Sequence, residues 1–331
     1  MAPPRFALAL LLLLAASGCA ARDANHTSGP ASVVSEPAGS PPESSGSPAS
    51  FPVVLTDERG IEVEVAAAPE RLVSLAPSNT EIVCALGACD SLVGVTDFDD
   101  YPAEVADVPD VVVNAQVDVE LVVAAEPDLV LAAGNELTPT VAIEQIEELG
   151  IPVVVLYPET LDEVYADVAL LGQALGESAA AAELVSDLRG RASAVVEAVA
   201  GADRPRVLYE VFHAEGTTYT AGDGSFLASL LDLAGAEPVT GDALGAIATE
   251  DLVAADPEVI LLGTASYEPS LADPDAAVAT VGARPGWSGL AAVRAGAVIP
   301  YLDDIVTTRP GPRIVEGLEA LARALHPDRF D

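Results

Sequence analysis

Two glutamates, Glu120 and Glu250, occupy matching places in two copies of one short pattern. The first copy is Val119–Leu131, V-E-L-V-V-A-A-E-P-D-L-V-L; the second is Thr249–Leu262, T-E-D-L-V-A-A-D-P-E-V-I-L-L. In each, the Glu opens one or two helical turns, and an acid followed by Pro (Pro127, Pro257) ends them seven positions later. Proline disfavours a helical residue before it, so it marks the boundary with the apolar run that follows. A carboxylate in a first helical turn is favoured by the helix dipole and stays in water. Two such units suggest two similar lobes, each showing one carboxylate at an equivalent place. Chance recurrence of a common helix–strand pattern is the alternative, and the equal spacing in both copies favours duplication.

Other polar side chains suggest less. Glu210, His213 and Tyr219 lie close together and could face a cleft as polar or coordinating groups. His213 could offer a ring nitrogen to a metal; a hydrogen-bonding loop residue is the plainer reading. The other histidines are His26 and His326, and one candidate histidine makes no zinc site unaided. No Gly-x-Ser-x-Gly elbow, phosphate-cradling Gly loop with Lys, or His-Glu-x-x-His helix occurs. The expectation is therefore a chain that is not an enzyme and has no resident cofactor or metal.

The elements that must position these residues follow from patterning. Leu129–Ala133 and Val259–Leu262 are apolar throughout, as strands buried on both faces of a parallel sheet are. Before them, Pro52–Leu55 and Ile61–Val65 alternate around a turn ending in Gly60, a hairpin. Arg71–Leu75 is a strand, Ser78 an N-cap with Glu81 completing a capping box, and Ser91–Thr96 the next strand. Helix Thr138–Leu149 and strand Pro152–Leu156 complete a βαβα order, which implies a parallel sheet covered by helices. Ligands of such sheets sit beyond the strands' carboxyl ends. The loops Asp97–Pro102 and Val113–Val117 are accordingly candidate contacts, with Phe98 and Tyr101 alternatively covering the edge of their own lobe.

Two Ala-rich helical patterns, Leu161–Leu175 and Ala179–Val199, come next. A helix of about 20 residues is roughly 30 Å long, enough to join two lobes as a rod; a crossover helix within one domain is the alternative. The second half runs through strand Arg206–Val211, a loop with Phe212 and Tyr219, helix Asp223–Ala234, the Glu250 unit, strand Ala297–Tyr301 and helix Ile314–Leu325. The fold class expected is α/β: two lobes with parallel sheets joined by one long helix. The divisions are 51–158 for the first lobe, 159–203 for the connecting helix region and 204–331 for the second lobe.

Composition narrows the partners. The 331 residues include 52 acidic against 14 basic ones, a net charge of −38, and every basic residue is Arg. So negative a surface repels nucleic acid and anionic lipid. At the N-terminus, Arg5 precedes an apolar core, Phe6–Ala16, too short to span a bilayer. It ends in Ala16-Ser17-Gly18-Cys19, which resembles a bacterial lipobox with Cys19 as the acylated residue. Residues 1–19 read as a lipoprotein signal and 20–50, rich in Ser, Gly, Pro and Ala, as a tether reaching about 30 Å. The other cysteines, Cys84 and Cys89, flank a helix end; a bridge requires that end to fall near Gly87, and two small buried side chains are the favoured reading.

Two segments carry a family resemblance: R-L-V-S-L-A-P-S-N-T-E-I from Arg71 and G-V-T-D-F-D-D-Y-P from Gly94. They resemble the opening of the periplasmic binding proteins that deliver cobalamin, ferric siderophores or haem to ABC importers, most closely the cobalamin-binding branch. The resemblance runs from about Arg71 to Phe330. It implies two Rossmann-like lobes on a helical backbone (class III) and an exported monomer, anchored in the periplasm or on the outer cell surface. A metal chelate would be held between the lobes and passed to a permease dimer with its ATPase. It further implies that Glu120 and Glu250 pair with permease arginines. Phe98 matches an aromatic ligand contact, and two corrin-sandwiching tryptophans fall at about Asn114 and Leu244. Aromatic residues such as Phe212, Tyr219 and Tyr267 could stand in for them. Asp97, Tyr101, Glu210, His213 and Asp304 complete the candidate contacts. Arg309 could meet an anionic siderophore or a haem propionate, or pair with Asp303 or Asp304. A sensor or enzyme reusing the fold is the alternative of another class.

Overall fold

The computed structural model describes residues 51–134, 138–214 and 216–330; the signal, Cys19 and the tether lie outside the described residues. A hairpin of β1 (Val53–Thr56) and β2 (Glu62–Val65) comes first. Its turn is organised by Asp57, whose Oδ1 accepts from the amides of Arg59 and Ile61 at 3.0 and 3.1 Å.

The first lobe then builds β3 (Leu72–Ser74), α1 (Pro77–Ala85), β4 (Leu92–Thr96), β5 (Asp110–Val113), β6 (Gln116–Val117), α2 (Val119–Ala124), β7 (Leu129–Ala132), α3 (Thr140–Glu148) and β8 (Val153–Val155). The sheet order is β6-β5-β4-β3-β7-β8, parallel except for the β5–β6 pair. β3, β7 and β8 are buried at every position, as continuous apolar runs require when helices cover both faces.

The second lobe holds β9 (Arg206–Glu210), β10 (Phe212–Ala214), β11 (Thr217–Tyr219), α6 (Phe226–Leu233), β12 (Glu237–Pro238) and β13 (Ala246–Ile247). These are followed by α7 (Thr249–Ala255), β14 (Val259–Leu262), α8 (Pro274–Gly282), α9 (Ala291–Ala295), β15 (Val298–Pro300), α10 (Asp304–Thr308) and α11 (Ile314–Leu325). β12-β9-β14-β15 form a parallel sheet, and β10-β11-β13 a small antiparallel one.

Between the lobes run α4 (Leu161–Leu175) and α5 (Ser178–Val199), packed on each other. Gly172 permits this closeness, because a Cβ there would overlap that of Ala181. The expected long helix is α5, and α4 doubles it. Ala181 belongs to the first lobe's core, whereas Leu188, Ala192, Val195 and Val199 belong to the second's; Leu184 and Val185 pack against both.

The repeated pattern is a structural repeat. Arg71, just before β3, donates to the carbonyl of Ala125 at the end of α2 at 3.0 Å, and Arg206 at the start of β9 donates to that of Ala255 at the end of α7 at 3.0 Å. Each arginine's amide is accepted by the acid after the proline, Asp128 at 3.2 Å and Glu258 at 3.0 Å. The residues before the prolines, Glu126 and Asp256, both take the left-handed conformation (φ +47° and +42°) that turns helix into strand. Equal geometry at four paired positions excludes a chance likeness of sequence.

Three local expectations are corrected. Ser78 is not an N-cap: Pro77 opens α1, the cap position falls on Ala76, and no side chain caps it. The helix expected from Asp223 starts at Phe226, where the Ser225 hydroxyl accepts from the amide of Ala228 at 3.3 Å. Cys84 and Cys89 are joined by a disulfide rather than lying free. Helix α1 ends at Ala85 and Gly87 takes φ +83°, which brings the two Cα atoms to 4.2 Å.

Candidate functional site

Glu120 and Glu250 sit in the first turns of α2 and α7, exposed, and neither has a hydrogen-bonding or ionic partner among the described residues. Each of these helices leads directly into a strand of its parallel sheet, β7 or β14. The helix start therefore lies toward the strands' carboxyl ends, the side where such sheets bind ligands. Six positions before each Glu stands an exposed residue, Asn114 or Leu244. Asn114 and Ala115 form a tight turn at φ +53° and +59° between β5 and β6, so the expected Val113–Val117 loop is a hairpin. Leu244 is 47% exposed, in a loop whose amides Leu244 and Ala246 are held by Asp242 Oδ1 at 2.9 and 3.0 Å.

The loop after β4 carries Asp97, Phe98 and Tyr101. Asp97 is exposed and its Oδ2 accepts from the Asn114 amide at 2.8 Å, tying this loop to the β5–β6 turn. Asp99 Oδ2 accepts from the Thr96 amide and hydroxyl at 2.9 and 2.6 Å; burial pushes its carboxyl above the usual range. Tyr101 is 47% exposed, with the Arg313 guanidinium over its ring at 4.0 Å.

Arg309 crosses to this loop from the second lobe. It donates to Glu81 Oε1 at 2.9 Å, Asp100 Oδ1 at 2.7 Å and the Phe98 carbonyl at 3.3 Å. The expected pairing with Asp303 or Asp304 is thus replaced by a pairing across the lobes. Burial alone would lower its guanidinium, but hydrogen bonds to Glu81 and Asp100 outweigh that and raise it. Arg313 also reaches Glu81, at 3.0 and 2.6 Å. Glu81 does not close the expected capping box; the helix turns it inward to meet both arginines.

Asp304 and Glu210, expected as cleft contacts, are both fully buried. Asp304 accepts from the hydroxyls of Tyr209 and Tyr267 at 2.6 and 2.8 Å, and burial raises its carboxyl. Glu210 is held by Arg284, with one bond at 3.1 Å, and by the Thr264 hydroxyl at 2.7 Å. Arg284 in turn lies over the Trp287 ring at 4.7 Å. Nothing local in the sequence joins Glu210 to a residue 74 positions away.

Phe212, His213 and Tyr219 are brought together on the antiparallel sheet, all half-buried. The Phe212 and Tyr219 rings lie 6.5 Å apart. His213 is in strand β10 rather than a loop, with Nδ1 at 2.8 Å from the Thr218 hydroxyl and its ring against the edge of Trp287. Burial, then the nearby Arg284 charge, lowers its pKa, so the imidazole is neutral at neutral pH. Among the described residues no group of three or more His, Cys, Asp or Glu is arranged to hold a metal. Two concavities, of about 630 and 560 Å³, lie one on each lobe. Neither is lined by Phe98, Tyr101 or Arg309.

Two parallel-sheet lobes, paired across a polar seam and carried on long helices, define a two-lobed binding protein. The chain belongs to the periplasmic binding protein family, whose pattern its residues 72–304 match. It is 33% identical over 291 residues to an uncharacterized ABC transporter substrate-binding lipoprotein, YvrC, of Bacillus subtilis, covering 85% of this chain and 87% of that one. It is 31% identical over 291 residues to a cobalamin-binding protein of Halobacterium salinarum, covering 84% and 75%. Among solved structures, a possible iron-binding periplasmic solute-binding protein of Staphylococcus epidermidis superposes with a TM-score of 0.67 at 25% identity, covering 78% of this chain and all of that one. The fold is that of type III periplasmic binding proteins. Its relatives are substrate-binding proteins of ABC transporters, and the family works outside the cytoplasm. No helix among the described residues is long and apolar enough to cross a membrane.

Proposed function

We propose that this protein captures a corrinoid or a similar metal chelate between its lobes and delivers it to an ABC permease dimer through Glu120 and Glu250. The observation that carries this is the pair of exposed, unpartnered glutamates at equivalent helix starts, one on each lobe. Equivalent acids on two lobes match a partner that presents the same basic surface twice, as a permease dimer does. Complementary charge of this kind steers and orients docking more than it tightens it. The ligand contacts are Phe98, Tyr101, Asn114 and Leu244, at the rims of the two lobes, with Phe212, His213 and Tyr219 on the second lobe.

Acylation of Cys19 would hold the protein at the membrane, and the Cys84–Cys89 disulfide accords with an oxidising compartment. Ferric siderophore or haem is the second reading: Asn114 and Leu244 stand where the cobalamin-binding branch has tryptophans, and the S. epidermidis structure is described as possibly iron-binding.

Titration with cyanocobalamin, haemin and ferric hydroxamates discriminates the ligands, and failure to bind cyanocobalamin removes the first. Combining Glu120→Arg with Glu250→Arg should abolish uptake while leaving ligand affinity unchanged; uptake that survives the double change refutes the docking assignment.

A further inference from the structure

The seam holds an arrangement that ligand capture does not by itself explain. Glu81, with a side chain only 2% exposed, grips both Arg309 and Arg313 of the other lobe. The same two arginines hold the loop after β4: Arg309 by Asp100 Oδ1 at 2.7 Å and the Phe98 carbonyl at 3.3 Å, Arg313 by lying over the Tyr101 ring. The arms differ in depth, because the Asp100 side chain is 54% exposed. An exposed ion pair is weak and screened by salt, whereas a buried one breaks only at a large cost.

We propose that Glu81, Arg309 and Arg313 form a permanent bolt between the lobes, and that Asp100 is a releasable catch on it which holds the 97–102 loop shut across the seam. This rests on the reading that the seam is where ligand enters. The bolt sets how closely the lobes sit. The catch decides whether Phe98 and Tyr101 lie against the arginines or swing free to admit a ligand. When Asp100 lets go, one donor of Arg309 is freed toward the opening while Glu81 still holds the side chain in place. Other charged groups near the catch are Asp99, whose Oδ2 is occupied by Thr96, and Glu81.

The test uses the folded chain without ligand, so that it stands whether or not the ligand assignment does. Amide hydrogen exchange is compared for wild type and Asp100→Asn at low salt and at 0.5 M NaCl. The expected result is exchange in residues 97–102 faster by about fivefold in D100N, the equivalent of one exposed pair. Exchange around residues 309–313 should stay unchanged, and salt should loosen the loop in wild type but not in the variant. Loop exchange equal to wild type in D100N, or a salt response that persists in it, overturns the catch. Glu81→Gln tests the bolt: exchange should rise on both sides of the seam together, and a rise confined to one side overturns it.

Discussion

Asp167 on α4 is 3% exposed, and its Oδ2 has no hydrogen-bond partner among the described residues. Burial, then the charge of Glu58 in the β1–β2 turn, pushes it up to about 8; Glu58 is itself raised, first by burial. An unfolded aspartate titrates near ~4. Between about pH 4 and 8 the folded chain therefore holds a proton that the unfolded chain has lost, and stability falls as pH rises through that window. Asp167→Asn should remove the fall, raising the melting temperature at pH 8 while changing it little at pH 4. The slope removed is on the order of 1 kcal/mol per pH unit, and thermal melts at stepped pH would read it. Single residues of this kind were the least legible part of the sequence. Glu210, Asp304 and Arg309 read as cleft-lining polar groups, yet the first two are buried and the third is spent on Glu81, 228 positions away. Burial and distant pairing leave no local pattern.

Elements were far more legible. β7 and β14 announced themselves by unbroken apolar runs, and the Glu-to-Pro spacing foretold a repeat that Arg71 and Arg206 complete with the same bonds. Capping was misread where a steric preference outweighed a hydrogen bond. Pro77 suits the first helical position, so it moved the cap back to Ala76 and left Glu81 to the seam. The hand-over between α4 and α5 carries the element-scale prediction. Gly172→Leu would force the two helices apart at Ala181. Overpacking of this sort costs about 1–3 kcal/mol, to be read as a lower denaturant midpoint with an unchanged slope. No comparable loss should follow Gly190→Leu on α5, where a Cβ would meet open space.

At the scale of the whole molecule, two lobes of matching plan each expose one acid at an equivalent helix start, and what joins them governs how they behave together. Leu184 and Val185 belong to both cores at once, and α4 sends Val164 and Tyr165 into one and Val168 and Leu171 into the other. Neither half owns its own floor. A fragment stopping at residue 158, or beginning at 204, would leave an oily stripe bare to water and should come out of the cell as aggregate. The intact chain should melt in one step, its calorimetric and van't Hoff enthalpies agreeing, where two lobes on an idle strut would give two. What looks like a hinge between independent parts is therefore the piece that makes them a single cooperative body.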